Sequence, residues 1–168
     1  AFDALARLRV PLIAALNGHT LGGGLELAAT ADFRVAEPHV KFGLPETGLG
    51  IIPGWSGTQR AVRRFGSQTV RRMALLGEIF WADEALRLGI VDSVAAKGEG
   101  LAAAKLMAAK LAIRSPLATA VTKMLINAAE GEDVERALET LGGLAVADGH
   151  ELKTGVAAFR EKRKPDFR

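Results

Sequence analysis

Residues 17–28 decide the fold of this chain and read NGHTLGGGLELA. Three consecutive glycines (Gly22–Gly24) open a predicted helix, and Glu26 follows in its first turn. Bare backbone N–H groups at the positive end of a helix can stabilise a developing oxyanion. Apolar residues flank Glu26, so we expect this carboxylate to be buried, which requires a reason. From the residues alone, the glycines could also serve a close helix–strand contact, and Glu26 could simply complement the helix dipole.

A second carboxylate, Glu46, follows Pro45 in a segment without helical periodicity, which predicts a loop. Two carboxylates near one oxyanion site can act as a general acid and a general base. An exposed loop glutamate would instead have no such role. The surrounding segments read DFRVA (32–36), FGLPE (42–46) and GIIPGWSGTQR (50–60).

In order and spacing, these segments resemble the enoyl-CoA hydratase/isomerase (crotonase) family. The tail GVAAFREKRKP (155–165) also resembles that family's C-terminus. The resemblance spans the whole chain and implies an α/β fold: part of a crotonase-like (ClpP/crotonase) ββα spiral core, then a C-terminal helical region. Family members carry further strands before this point, so the sequence is interpreted as a fragment that lacks one oxyanion donor.

The resemblance implies a role for each residue of the site. Glu26 and Glu46 match the two catalytic glutamates of the hydratases, and Gly23 matches an oxyanion-hole donor. Gly22, Gly54 and Trp55 are expected to line the substrate pocket. Trp55 stands where small residues are common, so it could narrow the acyl pocket or pack under the following helix.

The C-terminal segment is expected to contact coenzyme A, which enters as part of the thioester substrate rather than as a separate cofactor. Phe159 and Lys162 match family positions near its adenine end, although a solvated basic helix would look the same. An aromatic residue that some members carry earlier is replaced by Gly143. His19, His39 and His150 lack the spacing of metal ligands, so no metal site is predicted.

Hydrophobic periodicity predicts the order of the elements. Strands are expected at Val10–Leu16, Phe33–Ala36, Val40–Phe42 and Ile90–Val94, and the first should be buried on both faces. Helices are expected at Phe2–Leu8, Leu21–Ala31, Ser56–Phe65, Gln68–Leu76, Asp83–Leu88 (capped by Asp83), Gly100–Ile113, Pro116–Ala129 (capped by Ser115), Asp133–Asp148 and Lys153–Glu161. The pattern becomes wholly helical near residue 97, and the resemblance implies a spiral core over 1–96 and an oligomerisation and coenzyme A region over 97–168.

Composition favours an ordinary water-soluble domain. Hydrophobic residues make up 49% and charged residues 24% of the 168, and there is no cysteine, which excludes thiolate and disulfide chemistry. No apolar run has membrane-spanning length, so a cytoplasmic location is expected and a membrane partner is not. A net charge of +3 and 5% aromatic residues argue against nucleic-acid binding.

Hydration of an enoyl-CoA is the function that the two glutamates favour, with an acyl-CoA as substrate and a homotrimer or hexamer as assembly. The apolar stripes behind the oligomer prediction include Leu101, Leu106, Leu111 and Leu117. Other chemistries of the family, such as isomerisation of the double bond, remain alternatives. An inactive truncated or RNA-binding relative is a further one.

Overall fold

The computed structural model describes residues 1–55, 57–130, 153–154, 157–158, 160–163 and 166. Its compact units are two: residues 1–6 with 12–106, and residues 7–11 with 107–168. The predicted helix Asp133–Asp148 and the side chain of Phe159 lie outside the described residues. The predicted functional division at residue 97 remains a prediction.

The described elements combine strands and helices up to Val94 and continue with helices alone, as the sequence predicts. In chain order they are α1 (Phe2–Ala6), β1 (Ile13–Leu16), β2 (Thr20–Leu21), α2 (Gly23–Ala28), β3 (Phe33–Ala36), β4 (Lys41–Gly43), a 3-10 helix (Pro45–Leu49), α3 (Gly57–Phe65), α4 (Ser67–Leu75), β5 (Phe80–Trp81), α5 (Ala82–Arg87), β6 (Ser93–Val94), α6 (Gly100–Ala112) and α7 (Pro116–Ala129).

The first sheet is parallel and has the strand order β1-β3-β6. Its central strand, Phe33–Ala36, is the predicted one, and Val35 and Ala36 are fully buried. The prediction for β1 was wrong in length and in burial. The strand begins at Ile13 because the N–H of Leu12 donates to Asp32 Oδ2 at 2.7 Å, and as an edge strand it is only half-buried.

Strand β6 is also shorter than predicted. Ile90 and Val91 are buried, as their apolar side chains indicate, but their N–H groups donate to the carbonyl of Ala85 at 2.8 and 3.3 Å. The ladder with β3 therefore forms only at Ser93 and Val94. The apolar pattern therefore predicted the burial of Ile90 and Val91 correctly but did not show that they lie outside the strand.

The second sheet leads the chain into the glycine run. Strand β2 is parallel to β4, with Leu21 opposite Gly43, and β4 is antiparallel to β5. The sequence did not predict β2 or β5, because two residues are too few to show a period of two. Gly43 allows a close approach here, since a Cβ on it would overlap the end of the Ile79 side chain.

One apolar core joins these sheets to the helices. It contains Leu25, Phe42, Leu44, Met73 and Ile90, each with no exposed surface. Helices α3 and α4 meet at Gly66, whose φ of 82° is available to glycine at little cost. The turn lets both helices pack on the same side of the core.

Two helix starts test the capping predictions. Asp83 does not cap α5 as predicted. The N-cap residue is Trp81, and Asp83 lies inside the first turn of the helix. Ser115 does cap α7 as predicted: its Oγ accepts the N–H of Ala118 at 3.2 Å, and Pro116 takes the first helical position. No helix in the described ranges is long and apolar enough to cross a membrane.

Helix α6 is anchored by a buried carboxylate that the sequence did not single out. Glu37 is 5% exposed and accepts N–H groups from Gly98 at 2.9 Å and from Gly100 at 3.2 Å. The Gly98 N–H lowers the pKa of Glu37; burial opposes this, while the Gly100 N–H and the charges of His39 and Lys97 add to it. The ionised form of Glu37 therefore stabilises the start of the helix.

Replacing Glu37 by Gln should lower the free energy of unfolding at neutral pH. In acid, the difference in this free energy between the wild type and the variant should become smaller. The pKa of Glu37 in the folded protein lies below its ordinary 4.5, so the contribution is complete above that value and is lost as the pH falls through the folded pKa. Urea unfolding of both proteins between neutral and acidic pH checks this. Glu99→Gln, at an exposed position, is the control. A difference in unfolding free energy between the wild type and Glu37→Gln that stays constant with pH would contradict the prediction.

Candidate active site

The glycine run forms a turn that only glycine can adopt without strain. Gly22 has φ 53° and ψ −126°, and its N–H donates to the carbonyl of Gly43 at 2.9 Å. Its own carbonyl accepts the N–H groups of Leu25 at 2.8 Å and Glu26 at 3.0 Å, which starts α2. The pairing of β2 with β4 thus fixes where α2 begins.

Gly23 presents a backbone N–H that the helix itself does not use. It is the first residue of α2, and the N–H groups of a first turn have no partner within the helix. Among the described residues no acceptor contacts this N–H. The geometry is what an oxyanion donor requires, so the role predicted for Gly23 remains a candidate.

Glu26 is buried, as its apolar neighbours indicate, with 3% of its surface exposed. Its Oε1 accepts two backbone N–H groups, from Trp55 at 2.7 Å and from Gly57 at 2.8 Å. A Cβ on Gly57 would lie 2.7 Å from Cγ of Glu26 and would also overlap Oε1. The start of α3 therefore holds one oxygen of this carboxylate in place.

Glu46 is buried too, with 7% of its surface exposed, and it lies in the 3-10 helix rather than in the predicted loop. Pro45 begins that helix and Gly50, at φ 74°, ends it. Thr47 fastens it by donating from Oγ1 to the carbonyl of Ala74 at 2.6 Å. A 3-10 turn has a period of three residues, so the 3.6-residue pattern that reveals an α-helix is absent.

The glycine turn lies against the carboxylate of Glu46. A Cβ built on Gly22 would lie only 2.9 Å from Oε1 of Glu46. Oε2 of Glu46 is buried, and nothing in the described part of the chain hydrogen-bonds it. One carboxylate is thus tightly held and the other is free to accept or donate a proton.

The two predicted pocket residues that follow differ from each other. Gly54 is exposed, and a Cβ on it would meet only the carbonyl of Ile52, at 3.8 Å, so no close approach explains this glycine. Trp55 does not pack beneath α3: it is 64% exposed, and its ring edge lies 2.7 Å from where a Cβ on Gly23 would be.

The structure brings together most of the predicted site and adds one residue to it. Sequence reasoning missed Gly57, although a glycine at the start of a helix next to the GWS segment was a usable signal. Lys162 belongs to the second compact unit, is exposed and has φ 53°. No cluster of three potential metal ligands occurs in the described ranges.

Replacing Gly22 by Ala should lower the free energy of unfolding by about 1–3 kcal/mol and should impair activity, because the new Cβ is strained and displaces Glu46. Gly24 offers a matched control two residues on. A Cβ there meets nothing within 4 Å, so Gly24→Ala should be neutral or stabilise by up to about 1 kcal/mol. Urea unfolding measures both, and equal effects would contradict the prediction.

The chain is similar to known proteins over its whole length. The family model described as enoyl-CoA hydratase/isomerase matches residues 1–168. Among curated proteins, a crotonyl-CoA hydratase from Syntrophomonas wolfei is 39% identical over 169 residues, which cover 99% of this chain and 65% of that protein. A 2,3-dehydroadipyl-CoA hydratase from Escherichia coli is 42% identical, with 94% and 63% covered.

Solved structures show the same fold. Pseudomonas aeruginosa DspI superposes with a TM-score of 0.93 at 39% identity, covering 100% of this chain and 65% of that one. An enoyl-CoA hydratase from Bacillus anthracis gives 0.92 at 33% identity, with 99% and 65% covered. The chain thus spans a little under two thirds of the length of these relatives, and the predicted crotonase-like fold is confirmed over that span.

Proposed function

Because the chain belongs to the enoyl-CoA hydratase/isomerase family, we propose that it adds water across the 2,3-double bond of an enoyl-CoA thioester. The observation that carries this proposal is a pair of buried carboxylates: Glu46 lies against Gly22, and Glu26 is held by the N–H of Trp55, whose ring lies against Gly23. Hydration needs two proton-transfer groups at neighbouring carbons, and this arrangement supplies two.

In the proposed mechanism, Gly23 receives the thioester. Its unpaired N–H points the positive end of a peptide dipole at the carbonyl oxygen, which gains negative charge as water adds. One such donor contributes about 3–4 kcal/mol to lowering a barrier of this kind. By family resemblance, the second donor of the pair comes from a segment N-terminal to the stretch that this chain matches.

Glu26 and Glu46 would both bind the attacking water but would have different roles in the reaction. Glu26 is fixed through Oε1 by the N–H groups of Trp55 and Gly57, which leaves Oε2 to accept a hydrogen bond from the water. Glu46 has no competing donor at its buried Oε2, which suits it to deliver a proton to C2. By family resemblance, the hydroxyl group and the proton add to the same face of the double bond.

Isomerisation of the double bond is the nearest competing reaction, and a relative from Mycosarcoma maydis is named an enoyl-CoA isomerase/hydratase. Moving a double bond requires one well-placed base, whereas this chain buries two carboxylates, Glu26 and Glu46. Loss of the conjugated thioester absorbance of crotonyl-CoA, with 3-hydroxybutyryl-CoA as product, tests the proposal. A protein that only converts 3-enoyl to 2-enoyl thioesters would be an isomerase.

Coenzyme A binding, assembly and location are further proposals. Lys162 is an exposed cation that could pair with a phosphate of coenzyme A, and Phe159 is its predicted neighbour there. A homotrimer or hexamer is supported by exposed apolar side chains on α6 and α7, including Leu101, Leu106, Met124 and Ile126. Light scattering gives the mass of the assembly, and fractionation gives the expected cytoplasmic location.

A further inference from the structure

The backbone of Trp55 binds Glu26, one of the two proposed catalytic residues. Its N–H donates to Oε1 of Glu26 at 2.7 Å, so residue 55 cannot shift without moving that carboxylate. Any side chain at this position begins next to the carboxylate that would hold water at C3. The backbone contact does not depend on the side chain, which can therefore be changed on its own.

The indole ring is held on two sides. Its six-membered ring lies against Gly23, with Cζ3 2.7 Å and Cε3 3.1 Å from the position of a Cβ on that glycine. On another side it contacts Phe2, with ring centroids 5.4 Å apart and planes inclined by 71°. No acyl chain can pass between the ring and Gly23, and Phe2 opposes its swinging away.

The same ring is nonetheless largely uncovered. Trp55 is 64% exposed, and three neighbours in its loop are also exposed: Leu49 at 76%, Ile51 at 59% and Ile52 at 75%. Exposed apolar side chains concentrated in one segment mark a surface that binds an apolar group. A short hydrocarbon that ends against the indole would cover part of this surface.

From these contacts we infer that Trp55 forms the end wall of the acyl site and restricts the substrate to short enoyl-CoA thioesters, of about four carbons. The inference rests on the proposed function, which puts the thioester oxygen at Gly23 and the water between the carboxylates. In this arrangement carbons beyond C3 extend towards Trp55, because the N–H of Trp55 holds the carboxylate that would position water at C3. A longer chain would have to displace the ring from Gly23 and Phe2.

Trp55→Ala removes the wall and keeps the backbone N–H that positions Glu26. The measurement is kcat/KM for crotonyl-CoA and for 2-decenoyl-CoA, expressed as their ratio. The wild-type protein should favour crotonyl-CoA, and the variant should reduce that preference at least about tenfold, because each methylene in an apolar site changes kcat/KM by about tenfold or more. Trp55→Phe, which keeps a smaller ring, should give an intermediate ratio.

Trp81→Ala is the matched control. Trp81 is also exposed, at 52%, but its ring lies under Nζ of Lys41 at 4.5 Å, and none of its described contacts involves the glycine turn. The control should leave the chain-length ratio unchanged. If Trp55→Ala and Trp81→Ala change the chain-length ratio equally, the change comes from the loss of an aromatic side chain and not from the position of Trp55. That result would overturn the inference.

Binding separates this inference from the proposed function. The wild type should bind butyryl-CoA more tightly than decanoyl-CoA in calorimetry, and Trp55→Ala should remove that difference even if the protein does not hydrate crotonyl-CoA. Hydration with the same chain-length ratio in wild type and variant would overturn the role of Trp55 and leave the hydratase proposal standing. If the protein does not hydrate crotonyl-CoA but its preference for butyryl-CoA depends on Trp55, only the hydratase proposal is overturned.

Discussion

Glu46→Gln is expected to slow hydration of crotonyl-CoA by about 10²–10⁴-fold, the contribution of a positioned general acid or base. The amide keeps the shape of the side chain in its buried site beside Gly22 but cannot transfer the proton. KM should change little, since no binding group is lost. Steady-state kinetics of the purified protein give both constants.

The control for this variant is Glu99→Gln, which makes the same chemical change at an exposed position. It should retain wild-type kcat. If Glu46→Gln hydrates at the wild-type rate while remaining folded, Glu46 is not the acid/base group and the hydratase proposal fails with it.

Glu26→Gln is expected to lower hydration by about 10²–10³-fold and yet to preserve exchange of the α-protons of butyryl-CoA with solvent deuterium. The amide oxygen can still accept the N–H groups of Trp55 and Gly57, so the local structure survives. The amide nitrogen, however, cannot accept a hydrogen bond from water as Oε2 does. Exchange needs only the base Glu46 and the Gly23 N–H.

Proton NMR follows exchange, and the loss of thioester absorbance follows hydration, on the same preparation. Glu46→Gln serves as the comparison, because it should lose both activities. A Glu26→Gln variant that loses exchange as completely as hydration would show that the two carboxylates do not divide the proton work as proposed.

Local sequence signals predicted much of the fold. The apolar run around Val35 predicted β3 to the residue, and Ser115 with Pro116 predicted the start of α7. Apolar neighbours predicted the burial of Glu26. Each of these sequence signals lies within a short window, although the strand pairing of β3 and the bonds to Glu26 reach distant residues.

The remaining features depend on contacts between distant segments. Gly57 holds Glu26 across 31 positions of sequence; the glycine at the start of α3 was a visible signal, but it does not reveal which residue it binds. Glu46 was predicted in a loop because the 3-10 helix is short and Thr47 secures it to Ala74, 27 positions away. The orientation of the Trp55 ring likewise follows from Phe2 and Gly23 together.

The most direct test of the account is hydration of crotonyl-CoA in water labelled with heavy oxygen and deuterium. Mass spectrometry and NMR of the product then locate each label. The proposed site predicts 3-hydroxybutyryl-CoA with the heavy oxygen at C3 and one deuterium at C2, and predicts that Glu46→Gln abolishes both. Label appearing only in a free carboxylate, or a shifted double bond without added oxygen, would contradict the claim that Glu26 and Glu46 add water to an enoyl-CoA.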